Sequence, residues 1–353
     1  MSEFVVAALL KVVACGPKTG EAVTPAPATP EVVIEAESVE APPPAPVVDV
    51  VTGSPFVALS SDFALSDDGA LWRPQPIGQG WQWAHFPAPP ARSIASRNPA
   101  CVQHRDASIA CYSDSGYRVD PGRGSATDIT FDGDVLAIED GCALFAPSTL
   151  VCSGDGSAIS AHRQFAETYG AMEGVRQFSY VEYGYANYLA VLTGEAAHTY
   201  IVGDDGAMVE HDEAAFDGAA QLVGASTSLC ARFPDGSARC RRFRDDPRQC
   251  DPEEWDCADY PVEGVVGARQ LVFDGDYGCA VTEDDRATCW WEEYRGERQP
   301  ARDVGLAEVR DIALMDPLVC ALLTDGTIVC RAMEAIMATP TGGWSALPRS
   351  VGE

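Results

Sequence analysis

The spacing of the cysteines constrains this chain more than any other feature. Ten of the thirteen fall into five pairs, each ten positions apart: Cys101/Cys111, Cys142/Cys152, Cys230/Cys240, Cys279/Cys289 and Cys320/Cys330. Zinc sites favour a Cys-x2-4-Cys step, which occurs nowhere here. A ten-residue step instead suits two cysteines facing each other across a short β-hairpin. In Cys320-Ala-Leu-Leu-Thr-Asp-Gly-Thr-Ile-Val-Cys330, a three-residue loop of Thr324, Asp325 and Gly326 sets Leu323 opposite Thr327. Gly326 then takes the left-handed position of a type I turn with a G1 bulge, and Cys320 meets Cys330 at disulfide distance. Pro234-Asp235-Gly236 brings Cys230 to Cys240 in the same way. Each bridge closes a short loop, stabilises by about 2–3 kcal/mol in the loop-entropy view, and implies an oxidising compartment.

The same frame recurs without cysteines. Phe63-Ala-Leu-Ser-Asp-Asp-Gly69 keeps the glycine six residues after its first position, and Tyr188-Leu-Ala-Val-Leu-Thr-Gly194 keeps it in a frame uncertain by one residue. Repeat starts at 63, 101, 142, 188, 230, 279 and 320 give steps of 38, 41, 46, 42, 49 and 41 residues. A period in the low forties built on hairpins is the signature of propeller blades. A further strand precedes most hairpins, as in Ser93-Ile-Ala, Gln221-Leu-Val, Arg269-Gln-Leu-Val and Arg310-Asp-Ile-Ala, while Ile201–Val209 supplies material for outer strands. Both faces of the last hairpin are apolar, as a sheet sandwiched between neighbours requires. No helix-length amphipathic segment competes. The expected fold is an all-β, seven-bladed β-propeller of four-stranded blades stapled by disulfides within hairpins.

The stretch Cys320–Cys330, with its 40-odd-residue period, resembles the regulator-of-chromosome-condensation type repeat. It is most similar to the disulfide-bearing copies of bacterial surface and secreted proteins. The resemblance covers about residues 55–340 and implies a seven-bladed propeller used for protein recognition. The family continues after its hairpins with Trp-Gly-x-Asn, whereas this chain reads Cys-Trp-Trp-Glu-Glu at 289–293 and Cys-Tyr-Ser-Asp-Ser at 111–115. The nucleotide-exchange activity of nuclear members does not carry over, because no matching residues exist.

Residues 1–15 read as a signal peptide, with an apolar core at 4–14 too short to span a bilayer. Val12-Val13-Ala14-Cys15 resembles the bacterial lipobox, which makes Cys15 the lipidated residue; a plain secretory signal and an unprocessed terminus are the alternatives. Glu3 and Lys11 depart from the usual signal pattern. Gly16, rather than Asp, follows the cysteine, which by resemblance to bacterial lipoproteins favours the outer membrane. Residues 16–54, rich in Pro, Ala and Glu, form a disordered or polyproline-like tether, and the propeller occupies 55–353. Val47–Val51 is a candidate closing outer strand.

Twenty-four Lys and Arg against 53 Asp and Glu leave a net charge of −29, which repels nucleic acid. The histidines at 85, 104, 162, 198 and 211 show no metal-ligand spacing. No nucleophile elbow, P-loop or dinucleotide fingerprint occurs. Ser66–Trp72 only faintly suggests a sialidase Asp-box, and Phe131–Asp134 and Phe273–Asp276 read as plain acidic turns rather than calcium loops. No catalytic residue, metal or cofactor is therefore expected.

The blade beginning at Cys230 is the longest because of an insertion at Arg241–Pro261, which carries its own pair, Cys250 and Cys257. Asp251, Glu253, Glu254 and Asp256 surround Trp255 there, a pattern that suits an aromatic anchor steered toward a basic partner. A decorated loop whose tryptophan packs back on its own blade is the plainer alternative. The leading expectation is a non-enzymatic, surface-tethered, monomeric lipoprotein that binds a protein or envelope component and touches membrane only through its lipid. A secreted propeller inhibitor of another protein, or a glycan-acting enzyme, are the alternatives.

Overall fold

A computed structural model describes residues 54–78, 80–94, 100–106, 108–112, 135–139, 142–152, 161–183, 186–202, 207–225, 228–242, 259–274, 276–292 and 298–350. The chain folds as seven antiparallel sheets arranged in a ring. Blade 1 consists of β1 (Phe56–Leu59), β2 (Ala64–Ser66), β3 (Leu71–Ile77) and β4 (Gly80–Phe86). Blade 2 shows β5 (Ala91–Ile94), β6 (Ala100–His104) and β7 (Ile109–Tyr112). Blade 3 contains β8 (Val135–Glu139), β9 (Cys142–Phe145), β10 (Thr149–Cys152) and β11 (Ala171–Glu173), with helix α1 (Ala161–Tyr169) before the last strand. Blade 4 is β12 (Val175–Tyr183), β13 (Ala186–Thr193), β14 (Ala196–Val202) and β15 (Met208–Asp212). Blade 5 is β16 (Gln221–Ala225), β17 (Ser228–Arg232), β18 (Ala238–Arg242) and β19 (Tyr260–Pro261). Blade 6 is β20 (Ala268–Asp274), β21 (Tyr277–Thr282), β22 (Ala287–Trp291) and β23 (Arg302–Asp303). Blade 7 is β24 (Val309–Met315), β25 (Leu318–Leu323), β26 (Ile328–Ala332) and β27 (Ser345–Ala346), with helix α2 (Met333–Ala338) before β27.

The first strands of blades 3 to 7, 1 and 2 contact one another in that order around the axis. Seven apolar clusters fill the seven blade–blade interfaces. The last hairpin shows why both faces must be apolar. Cys320, Leu322, Ile328 and Cys330 pack toward blade 1, while Ala321, Leu323 and Val329 pack toward blade 6.

The cysteine frame is borne out in register. Cys142–Cys152, Cys230–Cys240, Cys279–Cys289 and Cys320–Cys330 are bonded across directly opposed positions, with Cα atoms 4.0–4.1 Å apart. Cys101 is disulfide-bonded and stands opposite Cys111. Cys15, Cys250 and Cys257 lie outside the described residues. The cysteine-free hairpin of blade 1 keeps the frame, since Leu65 faces Leu71 and Ala64 faces Trp72. Blade 4 does not. Thr193 faces Ala196 across a two-residue turn of Gly194 and Glu195, so Tyr188 opposes Ile201 and no ten-residue pair exists there.

The turn glycine serves the next blade as well as its own. The carbonyls of Gly69, Ser148, Gly236, Asp285 and Gly326, each six residues into its repeat, accept from Ala91 N (2.9 Å), Val175 N (3.0 Å), Ala268 N (2.9 Å), Val309 N (2.9 Å) and Phe56 N (3.1 Å). Each turn thus docks on the start of the following inner strand, and the last turn closes the ring on β1. A Cβ on Gly236 would lie 2.4 Å from Gly267 Cα, and one on Gly326 2.6 Å from Pro55 Cβ. In blade 6 the place falls to Asp285, left-handed at φ 56°. An aspartate one residue earlier staples the turn from within. Asp68 accepts from Ala70 N, Asp106 from Ser108 N, Asp235 from Ser237 N and Asp325 from Thr327 N, at 2.8–3.1 Å.

Inner strands have a free edge facing the axis, where a buried amide needs a partner. Glutamines supply it. Gln177 donates to Leu222 O (2.8 Å) and accepts from Leu222 N (2.9 Å), and Gln221 does the same to Leu271 (3.0 and 2.9 Å).

One expectation needs correction. A helix does occur within the repeat region. In α1, Phe165, Ala166 and Tyr169 share one side at helical spacing and pack beside Tyr200, an apolar face too short to stand out among apolar strands. The candidate closing strand Val47–Val51 lies outside the described residues. At the outer edge of blade 1, β28 (Arg349–Ser350) pairs parallel to β4. Trp83 N donates to Pro348 O (2.7 Å), and Arg349 donates to Ser54 O (2.7 Å) while lying 3.7 Å from the Phe56 ring centre. Among the described residues no helix is long and apolar enough to cross a membrane.

Candidate functional site

In a four-stranded antiparallel blade, the turn between the second and third strands and the crossing to the next blade share one rim. The other two turns share the opposite rim. The insertion between β18 and β19 rises from this second rim, together with the connection holding α2. Residues 243–258 lie outside the described residues, and with them Trp255, Asp251, Glu253, Glu254, Asp256, Cys250 and Cys257. The described part of the site is the neck from which the insertion leaves.

Two arginines end β18, and strand alternation sends them to opposite faces. Arg241 turns toward blade 4. It grips Asp259, on the returning side of the neck, with Nε to Oδ1 (2.6 Å) and Nη2 to Oδ2 (3.0 Å). Its Nη1 donates to Glu213, and its guanidinium lies 5.6 Å from the Phe216 ring centre. Glu213 is buried and also accepts from the Thr199 hydroxyl (2.7 Å). Burial pushes its carboxyl above the usual range, against the pull of Arg241 and Thr199. Bidentate arginine–carboxylate geometry fixes orientation as well as charge.

Arg242 turns toward blade 6. Its Nη2 donates to Asp276 (2.9 Å) and its Nη1 stands 3.8 Å from Glu292. Glu292 is buried, and burial raises its carboxyl above the ordinary value, against Arg298 and Arg242. Arg298 faces Glu292 in a short bridge and lies 3.4 Å from the ring centre of Tyr260, the first residue of β19. The Tyr260 hydroxyl and Glu292 Oε1 are buried with no hydrogen-bond partner among the described residues. The returning side of the neck is therefore held twice, by Arg241 on Asp259 and by Arg298 over Tyr260. Such an arrangement positions a loop through charge pairing and cation–π stacking.

In the acidic turn Phe273–Asp276, the Asp276 carboxylate pairs with Arg242 between β20 and β21. Phe131–Asp134 lies outside the described residues. In Ser66–Trp72, Asp68 staples its own turn, as its equivalents do in other blades. His85, His104, His198 and His211 stand on β4, β6, β14 and β15, and His162 in α1. Sequence reasoning singled out the acidic insertion but not the arginine pair at its foot. The available signal was Cys240-Arg241-Arg242, two adjacent cations directly after a frame cysteine in a strongly acidic chain.

No protein-family model matches the sequence, and no curated protein aligns with it. Similarity is found among solved structures. Prp20p from Saccharomyces cerevisiae, described with its binding to Gsp1p and histones, is 10% identical at TM-score 0.46, covering 71% of this chain and 76% of that one. PorZ of Porphyromonas gingivalis, a bacterial surface component of the type-IX secretion system, is 13% identical at TM-score 0.46, over 82% of this chain and 37% of its own. The β-propeller domain of Cps50 (Swd1) from Myceliophteria thermophila is 12% identical at TM-score 0.45, over 79% of this chain and 99% of that domain. Likeness at this level concerns the ring of blades and says nothing of what the chain binds.

Proposed function

We propose that this chain is a non-enzymatic lipoprotein, tethered through Cys15 to a bacterial outer membrane, whose propeller binds a protein or envelope component. A propeller suits protein binding, because its strands are committed to stacking while the loops of one rim remain free to vary. The observation that supports the reading is the neck of the blade 5 insertion. Consecutive arginines bind the ring to the loop's foot on both sides, with Arg241 held by Glu213 and Asp259 and Arg242 by Asp276. A loop mounted on a fixed base loses less freedom on binding. The surrounding acids steer a basic partner, and Trp255 supplies the anchor.

The immobilised full chain, used to capture proteins from envelope extracts, tests this reading. Capture of a defined partner is expected, followed by faster dissociation for Trp255→Ala, about 2 kcal/mol or more at a hot spot. Neutralising Asp251, Glu253, Glu254 and Asp256 lowers the association rate and its salt dependence. No capture by the parent, or capture unchanged by both variants, rejects the loop as the binding element. Replacing Cys15 with Ser moves the protein to the soluble fraction if the tether is real, and unchanged membrane association refutes it.

A further inference from the structure

The outer edge of blade 4 carries a cluster that owes nothing to the insertion or its partner. In the β14–β15 ladder His198 stands opposite Asp212 and Tyr200 opposite Glu210. Opposed residues share a face, as do residues two apart on one strand, so this register gathers all four side chains on one side of the sheet. His198 Nδ1 lies 3.2 Å from Glu210 Oε1 and 3.2 Å from Asp212 Oδ1. That nitrogen is closed to solvent, yet neither contact has the geometry of a hydrogen bond. A single imidazole proton cannot lie along both lines at once. Two carboxylate oxygens and a ring nitrogen that converge without such a bond define a place for a cation.

From this geometry we infer that His198, Glu210 and Asp212 form a binding site for a divalent transition-metal ion of the zinc class. Among the described residues this is the one group in which three such donors come together, with all three ligand atoms within 4.8 Å of one another. Zinc bonds to imidazole nitrogen and carboxylate oxygen at about 2.0–2.2 Å, which places donors around a tetrahedral ion about 3.3 Å apart. The two observed separations match that figure. One imidazole with two carboxylates suits zinc and its neighbours better than calcium or magnesium, which take six or more oxygens or keep their water. Asp212 is 85% exposed at its side chain and Glu210 42%, which leaves the outer side of the site open to a water as fourth ligand.

Two tyrosines complete the surroundings. The Tyr200 hydroxyl lies 3.4 Å from Glu210 Oε1, and the Tyr169 hydroxyl, at the end of α1, 3.4 Å from Glu210 Oε2. Donors to the second oxygen and to the flank of a ligating carboxylate hold it in its binding orientation. Helix α1 thereby ties blade 3 to the site on blade 4.

The test is calorimetric titration of the chelator-stripped full chain with zinc alone, repeated with cobalt and read by its visible absorption. One saturable equivalent is expected, with a tetrahedral-type cobalt spectrum. His198→Ala, Glu210→Gln and Asp212→Asn should each weaken binding at least tenfold, and Tyr200→Phe about tenfold through lost orientation. His85→Ala, an exposed histidine on β4, should bind like the parent. The near-isosteric Gln and Asn variants guard against loss of fold, which unchanged unfolding temperatures of the metal-free proteins verify. No saturable uptake by the parent, or uptake that His198→Ala and Asp212→Asn leave intact, overturns the site and leaves His198 packed between two acids.

Discussion

The two rims of this propeller differ in how much they repeat. On one, the second and third strands of five blades meet in a turn where the residue six into the repeat lends its carbonyl to the next inner strand, from Gly69 and Ala91 round to Gly326 and Phe56. On the other, the connections range from the two residues between Ile77 and Gly80 to α1, α2 and the blade 5 insertion. Repetition survives where a turn must fit a neighbour's backbone, and variety accumulates on the other rim. A partner of the kind proposed would have more to read on the varied rim, whereas the repeated rim is engaged in holding the ring together.

The sharpest break in that comparison lies where the two duties meet. Arg241 belongs to a frame hairpin and also clamps the insertion, so Arg241→Met should cost about 3–5 kcal/mol in denaturant unfolding by leaving Glu213 buried without its counter-ion. Pairing it with Glu213→Leu should recover most of the loss. A result near zero for the single variant would make the clamp ornamental.

Glycine substitutions compare the rims directly. Gly236→Ala combines left-handed strain with a backbone clash, at about 2–5 kcal/mol. Gly78→Ala, where a Cβ meets nothing within 4 Å, should cost only the strain of about 1–2 kcal/mol. Equal losses would mean that docking of the turn adds nothing. Replacing both Cys320 and Cys330 by Ala should lower stability by about 2–3 kcal/mol, less than the docked glycine at its largest.

The smallest effects have opposite signs in pH. The Ser66, Ser108 and Ser237 hydroxyls, with backbone amides, hold Asp68, Asp106 and Asp235 below their ordinary 3.8. Their contribution is present above that value and is lost as pH falls through the lowered folded value. Glu292 is raised by burial above 4.5, so its ionisation weakens the fold as pH climbs from 4.5 through the raised value. Unfolding temperatures measured across this range should show Glu292→Gln gaining on the parent as pH rises, and Asp235→Asn losing ground. Parallel curves for the two variants would erase the distinction.

Much of the repeated rim was legible in the sequence because one residue type marked it. The ten-residue cysteine step fixed the register of five hairpins, and the glycine of Phe63–Gly69 extended it to a sixth without cysteines. Blade 4 broke the frame at Gly194–Glu195, and no covalent mark revealed it. Gln177 and Gln221 escaped notice because their role depends on a neighbouring blade about 45–50 positions away. His198, Glu210 and Asp212 are twelve and fourteen residues apart, a spacing that means nothing until the register of β14 and β15 is known. Arg349–Ser350 is too short to carry any strand pattern.

That two-residue strand has a consequence for the order of assembly. Blade 1 is made entirely of β1–β4, all from one end of the propeller, and β28 only joins its finished edge. Among the described residues every other blade draws its strands from consecutive sequence, so a chain emerging from its N-terminus can complete these blades one after another. What remains for the end is docking Gly326 and Arg349 onto an existing surface, rather than threading a strand into an incomplete sheet.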